Sequence, residues 1–413
     1  MVQSNKSPLH PTRRAALNLM ALGGAGLLLR PRLAMAKSYG PGVSDTEIKI
    51  GSSMPYSGPA AFFGATGRVA SAYYKMINDR GGVNGRKIEC TSLDDGFSPP
   101  KAVEQVRRLV EQDQVLGIFG SLGTPTNVAT HRYLNEHKVP QFFIFSGVSQ
   151  FRDPVKSPWT IAADLSFVSV GTAFARYILA TVPGAKIAVL YQNDDMGKDH
   201  LLGLRVGLGE KADTAIVKAV TYEPTDPSID SQMIQLQASG ANVLVTAAIP
   251  KFASMAIRKM HAIGWNPLHC LGYPAASIPA TFKPAGLEES VGIVTADYVK
   301  QAGDPAWASD PEMLAYLDFM KTYAAGLDPN DKFSVNGYYQ AAATIQVLGA
   351  CGDDLTRDNL LNQMTHLHRM TVPMLLPGIT MSTSPDNYTV IGQMQMQRFD
   401  GKGWEKVGGI IVG

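Results

Sequence analysis

From about residue 46 onward, short runs rich in β-branched and aromatic residues alternate with stretches whose apolar positions recur every three or four residues. That alternation restricts the chain to α/β folds, in which a helix carries the backbone from the end of one strand to the start of a parallel neighbour. Ile48–Ser53 reads as a strand, the Gly-, Pro- and Ser-rich segment 55–64 as a loop, and Val69, Ala72, Tyr73, Met76 and Ile77 as one helical face that Gly81 and Gly82 end.

The same rhythm continues. A strand is expected at 87–93, and Ser98 is placed to cap a helix with Pro99 and Pro100 in its first turn, where a missing N–H is harmless. Strands at 115–119 and 141–145 flank a helix over about 126–136, which gives one sheet of at least four parallel strands. After Trp159 the pattern restarts, with helices at 167–181, to about 210, at 229–238 and at 251–263 between strands at 186–191, 216–222 and 242–248 and near His269 and Ile293. Helices at 311–324, 335–350 and 356–365 have too little strand between them for a third domain and are expected to pack back on the first. With 413 residues, 45% of them hydrophobic, the chain is long enough for two cores.

Residues 1–36 stand apart from this pattern. Thr12, Arg13 and Arg14 precede the apolar run Ala15–Leu29, and Ala34, Met35 and Ala36 form a small-residue cleavage pattern. The paired arginines resemble a twin-arginine export signal, and the run, interrupted by Asn18, is shorter than the roughly 20 residues a bilayer span needs. The expected product is a periplasmic protein cleaved after about Ala36. Five of the 37 basic residues and none of the 35 acidic ones fall in 1–36, leaving 32 against 35, a net charge of −3. A mildly acidic chain lacks the concentrated basic face that nucleic acid requires. Cys90, Cys270 and Cys351 permit buried thiols or a single bridge, and their spacing fits no metal site.

The segments Ile48–Gly64 (IKIGSSMPYSGPAAFFG), Ala72–Lys87 (AYYKMINDRGGVNGRK), Lys101–Gly120 (KAVEQVRRLVEQDQVLGIFG), Pro250–Trp265 (PKFASMAIRKMHAIGW) and Met394–Trp404 (MQMQRFDGKGW), taken in order, resemble the periplasmic branched-chain amino-acid-binding proteins of the leucine/isoleucine/valine-binding type. The resemblance implies a type I periplasmic binding fold, with two Rossmann-like lobes built on parallel sheets and joined by a three-segment hinge that closes on a ligand. Lobe one is then expected at 46–163 with 299–375, and lobe two at 164–298 with 376–413. It also implies a small-molecule ligand, delivery to the permease of an ABC importer, and a monomer. A sensory receptor reporting to a membrane kinase or chemoreceptor is the alternative use of such a clamp.

Candidate ligand contacts follow from loop position and from the resemblance. The segment Gly120–Thr126, with Ser121, Leu122, Gly123 and Thr124, sits between a strand and a helix; its amides and hydroxyls suit a carboxylate at a helix N-terminus, and equally suit a plain cap and turn. The resemblance favours binding there and adds Ser146 and Gly147 as a second set of carboxylate contacts. It also aligns Phe63 with an aromatic cover, with Tyr56 and Phe62 in the same loop. On the opposite side Tyr191, Met196, Ile249 and Tyr273 end strands or begin the loops after them, and Met196 replaces the tyrosine of the leucine-binding type.

Family members hold the ligand ammonium with acids on lobe two, whereas the aligned positions here are Ser166 and Pro274 or Ala275, with Asp164 and Asp195 nearby as substitutes. A hydrophobic or aromatic carboxylate such as an oxo acid is therefore expected over a free amino acid. No GxSxG, HExxH, GxxxxGK[ST] or dinucleotide GxGxxG motif follows a strand, so neither catalysis nor a cofactor is expected.

Overall fold

Strand cores such as Val243–Ala247 are buried along their whole length, as parallel strands covered by helices on both faces must be. The computed structural model describes residues 37–413, so the expected signal segment lies outside the described residues. In chain order β1 (Ser38–Tyr39), β2 (Glu47–Met54), a 3-10 turn at Gly58–Phe63, α1 (Gly64–Asp79), β3 (Lys87–Asp94), α2 (Pro99–Glu111), β4 (Ile118–Phe119), α3 (Thr124–Glu136), β5 (Gln141–Ile144) and β6 (Thr160–Ala162) come first. Their sheet is parallel throughout, in the order β3-β2-β4-β5-β6.

The chain then runs through α4 (Phe167–Thr181), β7 (Ile187–Gln192), α5 (Asp195–Leu208), α6 (Ala212–Ala215), β8 (Ile216–Tyr222), α7 (Asp230–Ala238), β9 (Val243–Ala247), α8 (Pro250–Ala262), β10 (Leu268–Leu271), α9 (Lys283–Ala285) and β11 (Val294–Asp297). After α10 (Pro311–Tyr323), α11 (Lys332–Ala350), β12 (Asp354–Leu355) and α12 (Arg357–Met364), it ends in the hairpin β13 (Gln393–Phe399) and β14 (Trp404–Val412). The second sheet has the order β14-β13-β11-β10-β9-β7-β8, antiparallel only at β13 and β14, and β12 pairs with β1.

The backbone thus passes between the sheets three times, after β6, after β11 and before β13. As expected, α10 and α11 return to the first sheet's layer, where Tyr73 of α1 packs on Phe319 and Tyr338. Helix starts are fixed by side chains at their N-termini: Ser166 caps α4, Asp194 α5, Asp310 α10, Asp331 α11 and Thr356 α12. Ser98 occupies the cap position of α2 without making that hydrogen bond, because Pro99 and Pro100 already set the first turn. Cys90, Cys270 and Cys351 are free thiols, and burial pushes each up to about 12. Among the described residues no helix is long and apolar enough to cross a membrane.

Candidate functional site

A parallel strand ends in a loop that leads to a helix N-terminus, so the carboxyl ends of both sheets present loops and unpaired amides. Between these two sets of loops lies a cavity with about 520 Å³ of empty space, its mouth included.

On the first-sheet side, the loops after β2, β3, β4 and β5 contribute Phe63, Phe97, Leu122, Gly123, Thr124 and Phe145. Gly123 is the cap residue of α3 with φ of +120°, and a Cβ there would lie 2.6 Å from Thr126 Oγ1 and 2.9 Å from the Phe97 ring. Only glycine lets the chain turn that tightly beneath the aromatic ring. The turn exposes the first amides of α3, and Thr124 Oγ1 shares a 2.9 Å hydrogen bond with Ser146 Oγ. An anionic group placed here meets a helix N-terminus and a hydroxyl held in position.

On the opposite side, a buried relay orients the start of α5. The Ile249 amide donates to Tyr222 Oη at 3.0 Å, Tyr222 donates to Gln192 Oε1 at 3.0 Å, and Gln192 Nε2 donates to Asp194 Oδ2 at 2.5 Å. The Gly197 amide donates to the other Asp194 oxygen at 3.1 Å. Burial raises the Asp194 carboxyl to about 6 against the pull of the Gln192 hydrogen bond. Met196 and Ile249 add apolar surface, and Phe167 stacks with His200 and Tyr273 at centroid distances of 4.7 and 5.9 Å.

The base of the cavity is formed where the backbone crosses between sheets. Asp164 accepts from Tyr298 Oη at 2.9 Å, Tyr298 and Tyr339 share a hydrogen bond of 2.7 Å, and Tyr339 donates to the Ala163 carbonyl at 3.1 Å. Burial raises Asp164 to about 6, opposed by the tyrosine hydroxyls. Lys332 Nζ donates to Asp297 Oδ2 at 2.5 Å and to the Tyr273 carbonyl at 3.0 Å. Beyond the cavity, Asp199 of α5 accepts from the Ser149 amide at 2.6 Å and from its hydroxyl at 3.3 Å, which joins the loop after β5 to the second sheet's side.

Of the residues singled out by sequence, Phe63, Leu122, Gly123, Thr124, Met196, Ile249 and Tyr273 come together around the cavity. Five do not line it. Tyr56 turns away, its hydroxyl 2.6 Å from Ser92 Oγ and its ring under the Arg68 guanidinium. Ser121 spends its hydroxyl on the Ser53 amide at 2.9 Å. Ser146 acts behind Thr124, and Gly147 sits where a Cβ would run into the Leu165 carbonyl. Tyr191 points to the other face of β7, because alternate strand residues face opposite ways and Gln192 takes the cavity side.

The expectation of an opposite wall without fixed anions does not hold. Asp164 and Asp194 both line the cavity, whereas Asp195 lies near Lys198 at 3.8 Å. Sequence reasoning also missed Phe97, Phe145, Phe167, Lys332, Phe333 and Asn336. The position of Phe97, just past a strand end, was the available signal. Lys332, Phe333 and Asn336 begin a helix some 270 residues beyond the Phe63 loop, and no local pattern marks them.

Residues 47–403 match the family model described as periplasmic binding protein. An amino acid binding protein of Pseudomonas aeruginosa is 26% identical over 56% of this chain and 63% of its own length, so the chain spans less than two thirds of that relative. The Leu/Ile/Val-binding protein homolog 7 of Brucella abortus is 24% identical over 76% of this chain and 79% of the relative. Among solved structures, a branched chain amino acid ABC transporter protein from Thermus thermophilus with bound valine superposes with a TM-score of 0.80 at 14% identity, covering 90% of this chain and 98% of that one. At that identity the likeness speaks for the fold, which is that of type I periplasmic binding proteins.

Proposed function

Because the chain belongs to the periplasmic binding protein family, whose members are binding proteins and not enzymes, we propose that it is the exported solute-binding component of an ABC importer. In this reading residues 1–36 are removed after export, 46–163 with 299–375 form one lobe, and 164–298 with 376–413 form the other. The lobes shut on a small hydrophobic or aromatic carboxylate and present it to a permease.

The observation that carries the reading is a cavity enclosed by the strand ends of both sheets, with the α3 N-terminus and the Thr124 hydroxyl on one side and the Asp194 carboxylate on the other. A ligand that touches both sides binds the closed state better than the open one, which is the condition for a ligand-driven closure. Asp164 and Asp194 also support one ligand form over the other. A buried carboxylate gains from a cation and loses against a second anion, so an amino acid with an apolar or aromatic side chain is favoured over the corresponding oxo acid. The names of the Pseudomonas and Brucella relatives and of the valine-bound structure point the same way. Phe63, Phe97, Phe145, Phe167 and Phe333 supply the apolar surround.

Thermal unfolding of the protein with leucine, phenylalanine, their oxo acids and benzoate tests this reading. A ligand at 100 times its Kd stabilises by about 2.7 kcal/mol. A larger shift with the amino acids supports the assignment, a larger shift with the oxo acids reverses the ligand form, and no shift with any of them rejects a carboxylate-binding cavity.

A further inference from the structure

The polar side chains around the cavity are committed to partners with one exception. Thr124 is held by Ser146, Asp164 by Tyr298, Gln192 by Tyr222 and Asp194, and Lys332 by Asp297 and the Tyr273 carbonyl. Asn336 lines the same cavity and is only 7% exposed, yet its Oδ1 has no hydrogen-bond partner. Among the described residues it is the single cavity-lining side chain with a buried, unpartnered polar atom.

Its surroundings give that orphan a meaning. Asn336 lies on α11 one turn after Lys332 and three residues after Phe333, on a shared helical face. Phe333 meets Phe63 edge-on at 4.6 Å, and Tyr339, three residues further on, meets Phe145 edge-on at 5.9 Å. The amide, for which neither Oδ1 nor Nδ2 has a hydrogen-bond partner among the described residues, is thus an unpaired polar group set in an aromatic wall, on a different element from the α3 terminus, Asp164 and Asp194. A buried acceptor with no partner is costly, and a site built around one discriminates strongly against occupants that leave it unpaired.

We infer that Asn336 is a specificity-determining residue whose Oδ1 accepts a hydrogen bond from a donor on the apolar body of the ligand, so that the preferred occupant is an aromatic amino acid bearing a ring hydroxyl or an indole N–H. This rests on the amino-acid reading above and narrows it.

Isothermal titration with phenylalanine, its ortho-, meta- and para-hydroxylated forms and tryptophan tests the inference on the whole protein. The wild type binds at least one donor-bearing ligand tenfold or more tighter than phenylalanine. Asn336→Leu weakens that ligand tenfold or more and leaves phenylalanine unchanged or tighter, whereas Asn336→Asp, which keeps an acceptor, retains the preference. Donor-bearing ligands within threefold of phenylalanine in the wild type overturn the inference and leave the parent reading standing, whether or not the variants fold. Equal loss of both ligands in Asn336→Leu also overturns it. A wild type that binds none of these ligands and no aliphatic amino acid removes the parent reading and this one with it.

Discussion

Replacing Asp194 by Asn isolates the charge that separates an amino-acid site from an oxo-acid site. Burial moves this carboxyl from 3.8 to about 6, and at ~1.4 kcal/mol for each tenfold change in proton affinity the empty protein carries at most about 3 kcal/mol of unfavourable burial there. A ligand ammonium offsets that cost, and a charge-assisted hydrogen bond is worth about 1.5–3 kcal/mol. Asn caps helices as well as Asp does, so the Gly197 amide keeps its acceptor, while Gln192 meets the new amide only by turning over and giving up the hydrogen bond it accepts from Tyr222 Oη. Removing the charge is therefore expected to weaken amino-acid binding by about 2–3 kcal/mol, roughly 30- to 150-fold. The empty protein melts close to the wild-type temperature, because relief of the buried charge is offset by the lost Tyr222 hydrogen bond, and oxo acids bind as well or better. Isothermal titration at pH 7.5 with leucine, phenylalanine and their oxo acids reads all of this. Amino-acid affinity within threefold of wild type, or equal losses for both ligand forms, would refute the reasoning.

Other outcomes follow from the same site. Thr124→Val removes the hydroxyl held by Ser146 and should weaken carboxylate binding tenfold or more, with unfolding midpoints near wild type; retained affinity places the anion elsewhere. Phe63→Ala should also cost at least tenfold in affinity and, because the ring is 5% exposed and packed on Phe333, a further ~3 kcal/mol or more in stability by denaturant titration. Asp164 and Asp194 are raised to about 6, so below that pH they must lose protons to hold an ammonium. Amino-acid affinity should fall by up to about tenfold per pH unit for each carboxylate as pH drops through 6, and an unchanged affinity at pH 5 would exclude both from the contact. Burial holds His269 down to about 3, so as pH falls from 6.5 the unfolded chain takes up a proton that the folded one refuses. His269→Gln should remove ~1.4 kcal/mol of acid destabilisation per pH unit between 6 and 4; identical pH slopes for both proteins in urea melts would show that the imidazole is not buried neutral.

The layered fold was legible because its signals are local. Apolar runs such as Val243–Ala247 are buried over their full length, and the helices between them carry one apolar face each, so strand and helix periods were readable without knowledge of neighbours. The site was legible to the extent that it follows from strand ends. Thr124, Met196, Ile249 and Tyr273 could be placed at the cavity because loops after parallel strands gather at one edge of a sheet. Tyr191 and Gln192 show the limit, since a shift of one residue along a strand reverses the face and only the sheet's register decides which one turns inward. Asp194 was hidden behind its ordinary role as a helix cap, and Lys332, Phe333 and Asn336 arrive from a helix whose approach is fixed by packing on α1. Tertiary placement of that kind leaves no mark in a local pattern.

The bond between Ser149 and Asp199 has a consequence for how such a protein evolves. It spans the two sides outside the cavity, so in the clamp reading proposed above it would bias the empty molecule toward its shut form by the same amount whatever is on offer. Substitutions at this pair would tune the strength of capture for every solute in parallel, while those on the cavity wall alter which solute is preferred. Tightness and choice are thereby set at separate addresses in the chain, and either can drift while the other is preserved.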